Sequence, residues 1–241
     1  MPKFFTTDID DNHAVLSGED VKHITRVLRL GEGDMIDLCD CCGFDYQGKI
    51  AHIDNGRIIV DIVDKKACRA EPSVSLTVFM ALPKGDKMNL IVQKCVELGA
   101  DTIVPVLTKR CVSRPDKKSA AGKVDRWQKI AWEAAKQCGR GKLPSVLDVC
   151  SFGEAVDRMA AMDCGIMLYE KGGVSLGECL KDKPKTIGIL IGSEGGFEEE
   201  EAAAATAKGI AVAGLGHRIL RCETAPLAAA SVIMYLTDNL N

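Results

Sequence analysis

The sequence predicts an α/β protein, a mainly parallel sheet covered by helices, preceded by a small β-rich domain. Three observations predict it. From Val74 onward, short apolar runs alternate with amphipathic or capped segments, the pattern of strands joined by crossover helices. Residues 1 to about 70 read instead as short strands with tight turns and one helix, as a small β-barrel-like domain does. Two apolar runs near the C-terminal end, 187–191 and 210–215, empty into glycines and charges, and ligands bind at such strand exits in α/β sheets. The expected domains are residues 1–70 and 71–241.

In the first domain, Ser17, Gly18, Glu19 and Asp20 read as a capping box. Val21, Ile24, Val27 and Leu28 follow at helical spacing, and Gly31 and Gly33 end the helix. Segments 34–39, 46–53 and 57–63 are β-rich. Asp54-Asn55-Gly56 reads as a tight hairpin because its backbone tolerates the positive φ such turns need. Residues 65–73 are charged, carry Pro72 and read as the linker. Beyond it, strands are expected over 74–82, 102–107, 145–149, 164–169, 186–191 and 210–215. Helices are expected over 87–98, 120–138, 151–162, 198–208 and 224–240. Gly99 closes the first of these. Ser151 with Glu154 caps the third, and the run from Glu198 to Glu201 suits a helix N-terminus, where carboxylates meet the positive dipole end.

An apolar content of 46% allows a substantial core. The net charge of −3 argues against whole-surface nucleic-acid binding and leaves room for a local basic patch. No charge-free apolar run is long enough to span a bilayer. The segment Met1-Pro2-Lys3-Phe4-Phe5-Thr6 lacks a signal peptide's apolar core. The chain reads as cytoplasmic. Its 11 cysteines are odd in number and scattered, so they read as reduced thiols. Cys39, Cys41 and Cys42 lack the second pair that a zinc site wants, so no metal is expected.

Four groups are candidate sites. In the first, Gly192-Ser193-Glu194-Gly195-Gly196, glycines after a buried strand let a ligand approach the backbone. It is neither a phosphate loop nor a dinucleotide fingerprint, and phosphates would meet Glu194 and the acids behind it. A cationic, phosphate-free ligand such as S-adenosylmethionine fits better. The second group runs from Gly214 through Leu215, Gly216, Arg218, Arg221 and Glu223 to Thr224. Arg218 there reads as a solvated charge. Arg221 and Glu223 sit where a strand exit meets the next helix, which Thr224 can cap, with Pro226 at an early helical position. The third is a basic rim of Lys84, Lys87, Lys109, Arg110 and Arg114, which Glu133, Gln137 and Arg140 can join. In the fourth, Lys3, Phe4, Phe5, His23, Arg26 and Arg29 interleave bases and aromatics in the small domain, as an RNA-contacting surface does. Arg26 and Arg29 are expected on one helix face, and His23 reads first as structural.

These residues together resemble the ribosomal RNA small subunit methyltransferase E family of the SPOUT superfamily. The resemblance rests on Phe4-Phe5, Val27-Leu28-Arg29, Pro83-Lys84-Gly85, Glu97-Leu98-Gly99, Glu133-Ala134-Ala135 with Gln137-Cys138-Gly139-Arg140, and residues 191–197 and 215–225. It implies a PUA-like barrel joined to a trefoil-knot domain, a homodimer, and methyl transfer from S-adenosyl-L-methionine to N3 of a uridine in 16S rRNA of the small ribosomal subunit. Carried over by position, the cofactor is held by Leu168, Tyr169, Glu170, Gly192, Gly195, Gly196, Leu215, Gly216, Ile219 and Leu220, with Arg221, Glu223 and Thr224 beside it.

Two positions depart from the family pattern: Ser193 stands where proline is usual, and Lys3 where arginine is usual, which loses the planar fork. For the chemistry, Arg221 is the candidate cation for a developing oxyanion, and Glu194 or Glu223 either accepts the proton or orients Arg221. The competing readings are a methyltransferase of the same superfamily acting on another RNA position, and a non-catalytic RNA-binding factor.

Overall fold

The computed structural model describes residues 3–54 and 56–240. It contains two compact units. One runs up to Glu71 and also takes Ala135–Leu143; the other comprises Pro72–Ala134 and the chain from Pro144.

The first unit is a five-stranded sheet of β1 (Lys3–Phe5), β2 (His13–Ser17), β3 (Met35–Cys39), β4 (Phe44–Asp54) and β5 (Arg57–Ala67), in the order β1-β3-β4-β5-β2. The β1/β3 pair is parallel and the others antiparallel. Alternate residues face one core, with Leu16, Ile36, Leu38, Ile50, Ile58 and Val60 all buried. Asp54 pairs with Arg57, and Gly56 has φ 89°, as the expected hairpin requires. Asn55 lies outside the described residues.

Three local expectations for this unit need correction. Ser17 is the last residue of β2, paired with Arg57, so Gly18 takes the cap position at φ 71° and no side chain caps the helix. Strand pairing claims the residue that the capping motif needed. Helix α1 (Glu19–Lys22) then widens into a π-helical turn, His23–Val27, in which Leu28 N donates to His23 O at 2.9 Å. The wider turn shifts the apolar stripe: Val21 and Ile24 are buried but Val27 is 68% exposed. The expected linker is also shorter, because β5 continues through Lys65 and Lys66, opposite Tyr46 and Asp45.

The segment Ala135–Leu143 is held to this unit by charge. Arg140 is buried and forks onto Glu71, Nε to Oε1 at 3.2 Å and Nη2 to Oε2 at 2.9 Å. The Gly141 and Lys142 amides donate to the same Oε1 at 2.7 and 2.9 Å. The Lys3 ammonium reaches Asp45 Oδ1 at 2.7 Å and Gly139 O at 2.9 Å. No side chain fits at Gly141, where a Cβ would stand 2.4 Å from Cys68 Cβ.

The second unit alternates strands and helices. In chain order they are β6 (Ser75–Ala81), α2 (Lys87–Glu97), β7 (Thr102–Leu107), α3 (Lys117–Cys138), β8 (Ser145–Val146), β9 (Cys150–Ser151) and α4 (Phe152–Ala160). Then come β10 (Cys164–Leu168), α5 (Leu176–Cys179), β11 (Thr186–Ile191), α6 (Glu199–Ala207), β12 (Ala211–Ala213) and α7 (Ala225–Leu236). The sheet order is β12-β10-β11-β6-β7-β8, with β9 also on β7, and every pair is parallel. Strands covered on both faces read as nearly unbroken apolar runs: β6 is buried from Leu76 to Ala81, and Thr77 is its one polar residue in that stretch.

Of the expected strand over 145–149 only Ser145–Val146 (β8) forms; β9 follows it at Cys150–Ser151, and α5 is an element without a counterpart in the sequence reading. Ser151 and Glu154 form the capping box that opens α4. Glu198 and Glu201 form an all-acid version at α6. Thr224 makes no side-chain cap at α7, where Pro226 sits in the first turn. Among the described residues no helix is long and apolar enough to cross a membrane, and no group of His, Cys, Asp or Glu could hold a metal ion.

Candidate active site

Strands β10, β11 and β12 are parallel neighbours in the order β12-β10-β11, so their C-terminal ends open on one edge of the sheet. The segments that leave them, together with Lys87 at the start of α2, line one cavity of about 670 Å³. It lies wholly within the second unit.

The turn after β11 forms one wall. Gly196 N donates to Ser193 O at 2.9 Å, and Gly196 has φ 66°. A Cβ on Gly192 would stand 3.0 Å from Gly196 Cα, and one on Gly196 would stand 3.0 Å from Glu170 Oε1. Both positions are therefore too tight for any larger residue without movement. Arg110 fixes the turn from outside. Its Nη1 donates to Gly195 O at 2.9 Å, while Nε and Nη2 fork onto Glu198 at 2.9 and 3.1 Å. The segment after β10 packs as closely on β12: a Cβ at Gly173 would lie 2.1 Å from Val212 O.

The turn after β12 forms the facing wall. Gly216, His217, Arg218 and Arg221 are exposed, and Ile219 is 86% exposed. Among the described residues the Arg221 guanidinium has no hydrogen-bond or ion-pair partner, while its carbonyl accepts from Thr224 N and Ala225 N at 2.8 and 2.9 Å. The sequence-selected residues Leu168, Tyr169 and Glu170, then Gly192, Glu194, Gly195 and Gly196, then Leu215, Gly216, Ile219, Leu220, Arg221 and Glu223 all line this one cavity. Thr224 does not; it stands next to it at the head of α7.

Comparison with known proteins bears on this geometry. A family model described as an RNA methyltransferase domain matches residues 70–234, and one described as an RNA methyltransferase PUA domain matches residues 16–63. The ribosomal RNA small subunit methyltransferase E of Bacillus subtilis (strain 168) is 38% identical over 232 residues, covering 93% of this chain and 91% of that protein.

The chain belongs to the ribosomal RNA small subunit methyltransferase E family.

Among solved structures, the Neisseria gonorrhoeae member of that family bound to S-adenosyl methionine superposes with a TM-score of 0.85 at 31% identity, covering 98% of each chain. A Legionella pneumophila methyltransferase in complex with the same cofactor superposes with a TM-score of 0.80 at 27% identity, covering 97% of each chain. This family member is thus an α/β SPOUT-type methyltransferase with an N-terminal PUA-like β domain.

The cavity fits the family's cofactor on grounds of its own. The hydroxyls of Tyr169 and Ser193, both on residues lining it, are buried and have no hydrogen-bond partner among the described residues. Orphaned groups of that kind mark where a polar ligand completes the bonding. Ser193, one of the two departures from the family pattern, therefore places a buried, unbonded hydroxyl in the turn that lines the cavity. The carboxylates of Glu170, Glu194 and Glu223 offer partners for a cation, although Lys87, Lys171, Arg218 and Arg221 line the same cavity.

Lys87, which the sequence placed only in a basic rim, is the residue whose importance was missed. Its Nζ lies 2.8 Å from Glu194 Oε1, 3.4 Å from Glu223 Oε2 and 3.8 Å from Cys222 Sγ. Burial opposes ionisation of Glu194, but the Lys87 ammonium and nearby backbone amides hold its carboxyl below the usual range. Glu223 is also held low, by its own amide first, then by the Cys222 thiol and Lys87. The Glu194 bond raises the Lys87 ammonium above the usual lysine value. A lysine opening a helix beside two acids many residues away carries no local motif that could have flagged it.

The basic surfaces are smaller than the sequence suggested. Arg140 is buried on Glu71, and Lys3 is turned onto Asp45 and Gly139, so neither is a solvent-facing cation. Arg110 grips the Gly195 turn and Glu198. Arg29 has φ 57° and has left the helix, so it does not share a helix face with Arg26. Arg26, Arg29 and Lys84 are exposed. His23 is exposed too, with its ring 5.8 Å from Phe4 in an edge-on contact.

Proposed function

We propose that the protein methylates N3 of a uridine in 16S rRNA, taking the methyl group from S-adenosylmethionine. The observation that carries the reading is the cavity: a glycine floor, three carboxylates and, among the described residues, two hydroxyls and the Arg221 guanidinium without bonding partners. In it, Gly192, Gly195 and Gly196 would admit the cofactor against backbone, Leu168, Leu215, Ile219 and Leu220 would offer apolar surface, and Glu170, Glu194 and Glu223 would offer carboxylates to its positive charge. When bound, the cofactor supplies a methyl group on a sulfonium carbon; the N3 electron pair takes it, and sulfur keeps the electrons of the broken bond.

The chain's own work is to position the reactants and to stabilise charge. Uridine N3 carries a proton, and its loss spreads negative charge onto the ring oxygens. Arg221 supplies the cation for that charge. Glu194 and Glu223 stand beside it as ionised carboxylates. Thr224 heads the helix that carries this wall. Lys84 from the second unit, and His23, Arg26 and Arg29 from the first, contact the RNA. The target base leaves its stack to reach the cavity.

The reading extends to the molecule's state. The α/β domain carries the superfamily's trefoil knot, supported by the close passage of residues 172–174 against β12. The protein works as a homodimer, supported by α7, whose apolar side chains Val232, Tyr235 and Leu236 are 40%, 63% and 44% exposed. The substrate is the small ribosomal subunit in the cytoplasm. Small subunits from cells lacking the modification, incubated with methyl-labelled cofactor and digested to nucleosides, test the function. The label is expected in 3-methyluridine at one position of 16S rRNA; label in another nucleoside overturns the assignment.

A further inference from the structure

We propose that Lys87 is the positioning residue of the methyl transfer, its ammonium tying the two walls of the cavity together and keeping Glu194 and Glu223 from acting as proton acceptors. The inference deepens the proposed function and rests on it.

The geometry is that of a clamp. Glu194 belongs to the turn after β11 and Glu223 to the turn after β12, and Lys87 Nζ stands between them at 2.8 and 3.4 Å. The clamp is anchored at each end. The amide of Lys84 donates to the two oxygens of Glu194 at 3.1 and 3.3 Å, so residues 84–87 hold that carboxylate from two sides. The Cys222 thiol donates to Glu223 Oε2 at 3.2 Å. Burial pushes that thiol up to about 12, so it stays protonated and remains a donor. The Lys87, Glu194 and Glu223 side chains are 35%, 30% and 20% exposed, so their attraction is only partly screened by water.

Charge balance follows. The Lys87 ammonium and the two carboxylates, taken by themselves, carry one net negative charge. That complements a sulfonium without the mutual repulsion of two bare carboxylates across the gap. The arrangement also settles the proton. A general base works best with a pKa near the working pH. Both carboxyls are held below the ordinary carboxylate range. They are too weak to take the proton of an imide. The N3–H bond therefore breaks with the proton passing to water or hydroxide, and Arg221 stabilises the anion that remains.

Steady-state kinetics on unmodified small subunits test the clamp, using Lys87→Met, Lys87→Arg, Glu223→Gln and the Lys87→Met/Glu223→Gln pair. Lys87→Met is expected to raise the KM for S-adenosylmethionine about tenfold, leave the KM for RNA unchanged, and be rescued to within about threefold by Lys87→Arg. The pair is expected to be no worse than Lys87→Met, because the two substitutions break one interaction. With chemistry limiting, wild-type kcat is expected to rise about tenfold per pH unit from about pH 6 to 8.

A cofactor KM that moves less than about twofold in Lys87→Met, or losses that multiply in the pair, overturns the clamp. A wild-type kcat that is flat over that pH range overturns the proton route. If Lys87→Met does not fold, Lys87→Arg and the pH profile decide: an arginine variant with lost cofactor affinity, or a flat profile, counts against the proposal. Wild-type protein that binds no S-adenosylmethionine by calorimetry sinks the proposed function itself, a result distinct from a failed clamp.

Discussion

The guanidinium of Arg221 is exposed and, among the described residues, unpartnered, so removing it should remove chemistry and leave the fold intact. Arg221→Ala is expected to lower kcat about 10²-fold at saturating RNA and cofactor, the cost of losing one donor aimed at developing charge. An unchanged melting temperature on differential scanning shows that the loss is chemical. Gly173 is the opposite case. Its backbone sits at φ 151°, and a Cβ there would meet Val212 O at 2.1 Å. Gly173→Ala is expected to cost about 3 kcal/mol or more, read as a fall in melting temperature of roughly 6–12 °C.

Arg221 was legible in the sequence because glycines and a strand exit surround it. Lys3 and Arg140 were misread as RNA contacts for a physical reason. A cation looks the same in sequence whether it faces water or a carboxylate, and their partners Asp45 and Glu71 lie 42 and 69 residues away.

Elements were legible where local chemistry decides them. Ser151 and Glu154 announce α4, and both reciprocal bonds form. Ser151→Ala is expected to cost about 1 kcal/mol, a drop of about 2–4 °C, with methylation unchanged because the cap lies away from the cavity. A loss of activity beyond the loss of folded protein would contradict that separation. The same motif failed at Ser17, where pairing with Arg57 in the sheet overrode it. The π-helical turn after α1 could not be read either, since a five-residue closure leaves the same residue types in place and only shifts which of them face inward. The parallel strands β6, β10 and β11 were plain from their apolar runs, and with them the edge where the cavity opens.

Across the whole molecule, a linear reading divides the chain once, yet Ala135–Leu143 returns to the first unit. The buried Glu71–Arg140 pair is one of the contacts that hold that return. Burial opposes ionisation of Glu71, but Arg140 and two amides hold its carboxyl below the usual range. A carboxyl lowered by folding stabilises the protein above its unfolded value, near about 4.3, and that contribution is lost as pH falls through the lower folded value. Urea unfolding of the wild type is thus expected to show stability falling below about pH 4.5, a slope that Glu71→Gln should flatten. At neutral pH the same substitution is expected to lower stability, because it removes the carboxylate onto which the buried Arg140 guanidinium forks. A variant as stable as the wild type at pH 7 would contradict the pair's role.

The claim on which the whole account turns is that the segments leaving β10, β11 and β12 enclose the methyl donor. A crystal structure of the protein with S-adenosylmethionine tests it most directly. The account predicts adenosine and sulfonium between residues 168–172, 192–197 and 215–221, with the hydroxyl of Ser193 or Tyr169 bonded to the ligand. Cofactor bound elsewhere, or a cavity that stays empty at saturating cofactor, would contradict it.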